Sequence, residues 1–141
     1  INKLQEINFN AGYGSLKIEE AESIVGRSDY TGLRFGSVSK KLQIDTDYGS
    51  IFVKDLKKNF ESVMINAEFT TIKLAVDPNA DFDINLDLEY TGFKDNNDKI
   101  SFQTRIEKST KKYYEGKFGN GSSNSKLIVK SQYGSITINE N

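Results

Sequence analysis

Histidine and cysteine are both absent from the 141 residues. Without them the chain can build neither a Ser-His-Asp nor a Cys-His nucleophilic system. The usual ligand sets for zinc, haem and iron–sulfur clusters are excluded as well. No disulfide can form, so cysteine usage carries no information about compartment. What survives is oxygen-ligated cations and carboxylate acid–base pairs. Long apolar runs are also missing, since nothing approaches the roughly 20 residues that cross a bilayer as a helix. Neither sign of charge is in excess, with 19 basic against 20 acidic residues and a net charge of −1. Nothing there attracts a polyanion, so nucleic acid is not an expected partner.

What the sequence has is a repeat. "YGSLKI" (Tyr13 to Ile18) returns as "YGSIFV" (Tyr48 to Val53) and as "YGSITI" (Tyr133 to Ile138). Aligned on the aromatic residue, six units emerge, anchored at Tyr13, Tyr30, Tyr48, Phe69, Tyr90 and Tyr133. The anchors are 17, 18, 21, 21 and 43 residues apart, so the last interval has room for a degenerate unit or an insertion.

Other positions repeat with the anchor. Six residues before it stand Ile7, Ile24, Leu42, Val63, Ile84 and Leu127, all aliphatic. Four before it the set is apolar except for Gly26, and two before it the residues are mostly small. Three residues after the anchor come Leu16, Leu33, Ile51, Ile72, Phe93 and Ile136. Five after it, only Asp95 breaks an apolar set. Alternation of this kind marks strands with one buried face. The parity of the pattern changes inside the unit, at the Gly-Ser or Thr-Gly pair that follows the ring. A strand changes face only through a bulge or corner, and glycine tolerates such backbone best. The motif therefore predicts a corner between two short strands.

A unit of about 20 residues cannot bury its own apolar face, whereas stacked units can. The expected fold is all-β: a β-solenoid, or β-helix-like stack, of six to seven rungs. The alternative is an antiparallel β-sandwich of bent strands. One pattern counts against perfect stacking. Asp29, Asp47, Glu68 and Glu89 precede four consecutive anchors, and Lys17, Arg34, Lys73 and Lys94 follow four residues after theirs. In-register stacking would set like charges side by side. The stretch from Asp95 to Ser125 leaves the pattern, and its "KISFQTRIE" and "KKYYEGKFG" predict a hairpin. The length of the chain predicts a single domain over 1–141.

The repeated "YGSLKI", "YGSIFV" and "YGSITI", the "LQIDTDYGSI" context and the closing "KFGNGSSNSKLIVKSQYGSITI" resemble the bacterial putative-adhesin domains of unknown function, repetitive β-proteins of Bacteroidetes-type envelopes. The resemblance runs from Ile7 to Ile138. It implies a β-solenoid-like fold and an exported, envelope or extracellular location. It brings no functional residues with it. The abrupt, already alternating opening "INKLQEINFNAGYG" agrees with an exported precursor whose signal, anchor or earlier domain precedes Ile1.

No catalytic, cofactor or metal residue is assigned from the sequence, and no cofactor is expected. Five features are candidates for chemistry. The acidic column could bind Ca²⁺ through oxygen ligands, but it reads more simply as a solvated face, because no calcium-binding consensus accompanies it. Asp81, Asp83, Asp87 and Glu89 in "DFDINLDLE" could act as paired carboxylates on a glycoside, yet they are the outward half of an alternating strand. "GKFGNGSSNSK" (Gly116 to Lys126) and "GYGSLK" miss the spacing and context of phosphate or dinucleotide loops and read as turns. "KSTKKYYEGK" (Lys108 to Lys117) mixes lysines with tyrosines, which suits glycans or a charged hairpin edge. The expected function is a non-enzymatic envelope or surface domain with an adhesive, binding or scaffolding role and a glycan or surface protein as partner. A carboxylate-dependent enzyme acting on polysaccharide and a purely structural stalk are the competing readings.

Overall fold

The computed structural model describes residues 4–57, 60–77, 79–95, 100–119 and 125–140. They are all-β, with no helix among them. Eight strands, β1 (Leu4–Ala11), β2 (Gly14–Asp29), β3 (Thr31–Leu56), β4 (Ser62–Val76), β5 (Phe82–Asp95), β6 (Ile100–Glu107), β7 (Lys111–Phe118) and β8 (Lys126–Glu140), form one sheet. Their spatial order is β1-β2-β3-β4-β8-β5-β7-β6.

The repeat pattern dictates how they pair. The aliphatic position six residues before each anchor lines up across the sheet as Ile7, Ile24, Leu42, Val63, Leu127 and Ile84, in parallel pairing. Parallel neighbours lie about 4.8 Å apart, so residues in register form straight columns. Antiparallel pairing is confined to β7, which lies between β5 and β6. That β6–β7 hairpin fills the long last interval between anchors.

The last strand in sequence is not the last in space. β8 pairs with β4 on one side and β5 on the other, so the final unit is inserted between the fourth and fifth. This relieves part of the like-charge conflict. Gln132 of β8 sits between Glu68 and Glu89, and Thr137 sits between Lys73 and Lys94. Two of the repulsive neighbour pairs expected from chain order never form. Asp29 beside Asp47, Asp47 beside Glu68 and Lys17 beside Arg34 do form, in exposed or half-buried positions where water screens them.

Each unit has two legs, one before and one after its anchor, and their apolar sides pack against each other. Ile24, Leu42, Val63, Leu127, Leu33, Ile51, Ile72 and Ile136 are all fully buried. They belong to one core. Gly26, the exception four residues before its anchor, has a packing reason. A Cβ there would lie 2.2 Å from the ring of Phe9. That ring leans across to Phe35 of the opposite leg, with centroids 6.5 Å apart. The glycine thus leaves space for a neighbour's aromatic ring.

The corner differs from the glycine-centred one expected from sequence. The left-handed residue is the anchor itself, with φ of 51° at Tyr30, 55° at Tyr48, 50° at Phe69, 49° at Tyr90 and 54° at Tyr133. Only in the first unit does the glycine take the strain, with φ of 116° at Gly14. Left-handed backbone costs a non-glycine residue roughly 1–2 kcal/mol. Stacking of the anchor rings, described below, offsets that cost.

The residue after each anchor turns inward. In spatial order this position reads Gly14, Thr31, Gly49, Thr70, Gly134 and Thr91, a strict alternation. Each threonine hydroxyl donates to the carbonyl two residues back, at 2.8 Å to Asp29, 2.8 Å to Glu68 and 2.9 Å to Glu89. The glycines accommodate the threonine backbone beside them. A Cβ on Gly49 would lie 2.2 Å from the Thr31 carbonyl oxygen. The two kinds of corner therefore interleave up the stack.

Candidate functional site

The anchors form a ladder along one corner of the sheet. Tyr13, Tyr30, Tyr48, Phe69, Tyr133 and Tyr90 stack in that order, with centroids 4.8–5.2 Å apart and planes within 14° of parallel. All six rings are exposed, from 46% at Tyr48 and Phe69 to 84% at Tyr13. A strand repeat brings rings to the distance that offset stacking favours, worth about 0.5–1.5 kcal/mol per pair. Inside the ladder each ring face is covered by its neighbours, so solvent meets ring edges and hydroxyls. The end rings are different: Tyr90 stacks only on Tyr133, and Tyr13 stacks only on Tyr30 and, at 84% exposure, leaves its other face bare. Among the described residues, none of the five phenol hydroxyls in the ladder has a hydrogen-bond partner.

Beside the ladder, on the leg that leads into each anchor, runs a groove of about 550 Å³. Its outward walls come from the positions one and three residues before the anchors. They include Arg27, Asp45, Asp47, Glu68, Asp87, Glu89 and Lys130. Lys111 of β7 joins them through its pairing with Glu89. The floor is made of small buried residues, among them Ser28, Thr46 and Ser131. Ser28 donates to Thr46 at 2.9 Å, and among the described residues no buried side-chain polar atom lacks a partner, so the floor is satisfied.

The walls are not satisfied from within. Arg27 lies in register with Asp45, and Lys130 with Asp87, yet neither pair forms an ion pair. Among the described residues, the charged side chains named as walls find no hydrogen-bond partner. Adjacent charges of opposite sign that do not pair are left to water or to a ligand.

The sequence candidates scatter over this surface. Of the acidic column, Asp47, Glu68 and Glu89 line the groove, interrupted by Gln132. Among the described residues no group of three or more acidic side chains is placed to hold a metal ion. From "DFDINLDLE", Asp87 and Glu89 line the groove, Asp83 lines a separate hollow beside β7, and Asp81 precedes β5. Residues 120–124 of the glycine-rich stretch lie outside the described residues. Gly119, with φ of 66°, turns the chain after β7. "GYGSLK" is the first corner. The side chain of Asp95 also lies outside what is described.

"KSTKKYYEGK" is not a hairpin edge. β7 is paired on both sides, and β6 is the outer strand. The reason is its inward face: Tyr114 and Phe118 are buried, and Phe118 stacks on Phe82 with centroids 4.8 Å apart. Tyr114 reaches out of the core to donate to Glu107 at 2.7 Å. Burial and that bond raise the Tyr114 phenol above its ordinary value, while the same bond holds the Glu107 carboxyl below its own. The half-buried Tyr113 phenol is raised by its bond to Glu115. The row three residues before the anchors, with Arg27, Asp45, Asp87 and Lys130, was not read as a site from sequence. Its mixed charge at a fixed offset was the available signal.

No protein family and no curated protein matches the chain in sequence. Among solved structures, one described as a putative cell adhesion protein from Clostridium sporogenes is similar. It superposes with a TM-score of 0.56 at 12% identity, covering 99% of this chain and 93% of that one. The likeness shows that the two share an all-β fold over essentially their whole lengths.

Proposed function

We propose that the chain is a non-enzymatic surface domain of the bacterial envelope, built as a β-solenoid, whose task is adhesive binding. The observation that carries this reading is the ladder with its groove. Six units present exposed rings and uncommitted polar side chains in straight rows along one rigid sheet. Rows of equivalent groups suit many weak contacts to an extended or repetitive surface, where avidity replaces pocket depth. In-register parallel stacking supports the solenoid, and the description of the Clostridium sporogenes protein supports cell adhesion. The repeat resemblance to envelope domains supports export.

Beads coated with the full chain are expected to adhere to intact bacterial or animal cells above albumin-coated beads. Adhesion no better than albumin on every surface tried overturns the reading. The precursor sequence is expected to carry a signal peptide or lipoprotein cysteine upstream of Ile1. A cytoplasmic N-terminal domain there contradicts export.

A further inference from the structure

The geometry points to a ligand class: we propose that the groove beside the ladder binds an extended neutral polysaccharide laid along the stack. This rests on the adhesive reading above and adds the site and the chemistry to it. Three observations carry it.

The first is the charge of the groove. Arg27, Lys111 and Lys130 stand among Asp45, Asp47, Glu68, Asp87 and Glu89. A polycation meets the three basic groups and a polyanion meets the five carboxylates, so each pays for repulsive contacts. A chain of neutral hydroxyls pays for neither. It can donate to the carboxylates and accept from the cations and from Asn66 and Gln132.

The second is that these groups are free. Among the described residues the charged walls are neither paired nor hydrogen-bonded, and the ladder hydroxyls are unbonded too. A ligand hydroxyl gains a charge-assisted bond without breaking one already made.

The third is spacing. Equivalent groups recur with the ladder, whose rings are 4.8–5.2 Å apart. That is close to the advance per sugar in an extended beta-linked glycan, so each sugar of such a chain can meet the outward side chains of one strand. The bare face of Tyr13 offers a platform on which the apolar side of a sugar ring can lie, where the ladder ends.

The test is native gel electrophoresis of the full chain in gels with and without a soluble neutral beta-glucan, followed by calorimetry with cellohexaose. The glucan is expected to retard the protein, while alginate and chitosan at equal mass retard it less. D47A/E68A is expected to weaken cellohexaose binding about tenfold, the scale of losing one charge-assisted hydrogen bond. K73A, on the other leg, should leave it unchanged, and melting curves confirm that both variants fold. No retardation by neutral glucan, stronger retardation by a charged glycan, or equal binding by D47A/E68A overturns the inference. Coated beads that adhere to cells without glucan retardation would leave the adhesive reading standing and remove only the polysaccharide.

Discussion

Gly134 packs so tightly on Thr70 that a Cβ added to it would lie 2.1 Å from the Thr70 carbonyl oxygen. The two corners meet because β8 enters the sheet beside β4, far from its place in the chain. Gly134→Ala must push backbone rather than a flexible side chain, and should cost about 1–3 kcal/mol in a denaturant titration. Gly92→Ala is the control, since a Cβ there meets nothing within 4 Å. It should change stability by less than about 1 kcal/mol. Equal effects would mean that β8 does not sit where it is described.

The anchors predict an inverted order of substitutions. In an ordinary strand glycine is less stable than alanine by roughly 0.5–1 kcal/mol. Tyr48 has φ of 55°, where alanine is strained and glycine is not. Tyr48→Gly should therefore unfold at higher denaturant than Tyr48→Ala, by about 1 kcal/mol. The reverse order would show that the left-handed corner is not populated.

Ring stacking should grade along the ladder. Tyr48 stacks on Tyr30 and Phe69, whereas Tyr13 stacks on Tyr30 alone. With about 0.5–1.5 kcal/mol for each ring pair, Tyr48→Leu should lose about twice what Tyr13→Leu loses. Chemical denaturation of the two variants measures the ratio.

The Tyr114–Glu107 bond gives the hairpin a pH dependence. The Tyr114 phenol titrates above its ordinary 10.0, so its stabilising contribution is complete below pH 10.0 and is lost as pH rises through the folded value. The Glu107 carboxyl titrates below its ordinary 4.5, so its contribution is complete above pH 4.5 and is lost as pH falls through the folded value. Tyr114→Phe should remove both effects, flattening the alkaline and acid limbs of a stability-against-pH curve relative to wild type. Unchanged limbs would show that the bond does not form.

Much of this was legible in the sequence because period-two alternation and the repeated ring are local signals. The aliphatic columns, the change of face at the anchor and the hairpin could all be read residue by residue. The insertion of β8 could not. In chain order the residues after the anchors run Gly14, Thr31, Gly49, Thr70, Thr91, Gly134, and the alternation breaks at Thr91. Only in space does Gly134 fall between Thr70 and Thr91 and restore it. The like-charge argument held for Asp29–Asp47, Asp47–Glu68 and Lys17–Arg34 and failed for Glu68–Glu89 and Lys73–Lys94, where it took chain neighbours for spatial neighbours. The left-handed strain was misplaced onto glycine because sterics alone favour glycine there. Ring stacking outweighs that preference, but only between strands that are already neighbours. The groove stayed hidden because its walls come from two columns and β7, brought together by pairing.

The position of β8 underlies both the ladder and the groove, since Tyr133, Lys130 and Gln132 fill their middle. Cysteine pairs test it directly in a chain that has none of its own. Met64 and Asn85 each pair in register with Ile128, on opposite sides of it. Neighbouring strands bring Cα atoms to about 5 Å, within disulfide reach, whereas two strand spacings, about 9.6 Å, are too far. Under mild oxidation, the pairs M64C/I128C and N85C/I128C are predicted to cross-link, and M64C/N85C is predicted not to. Efficient cross-linking of M64C/N85C, with failure of the other two, would place the fifth unit directly on the fourth and contradict the account.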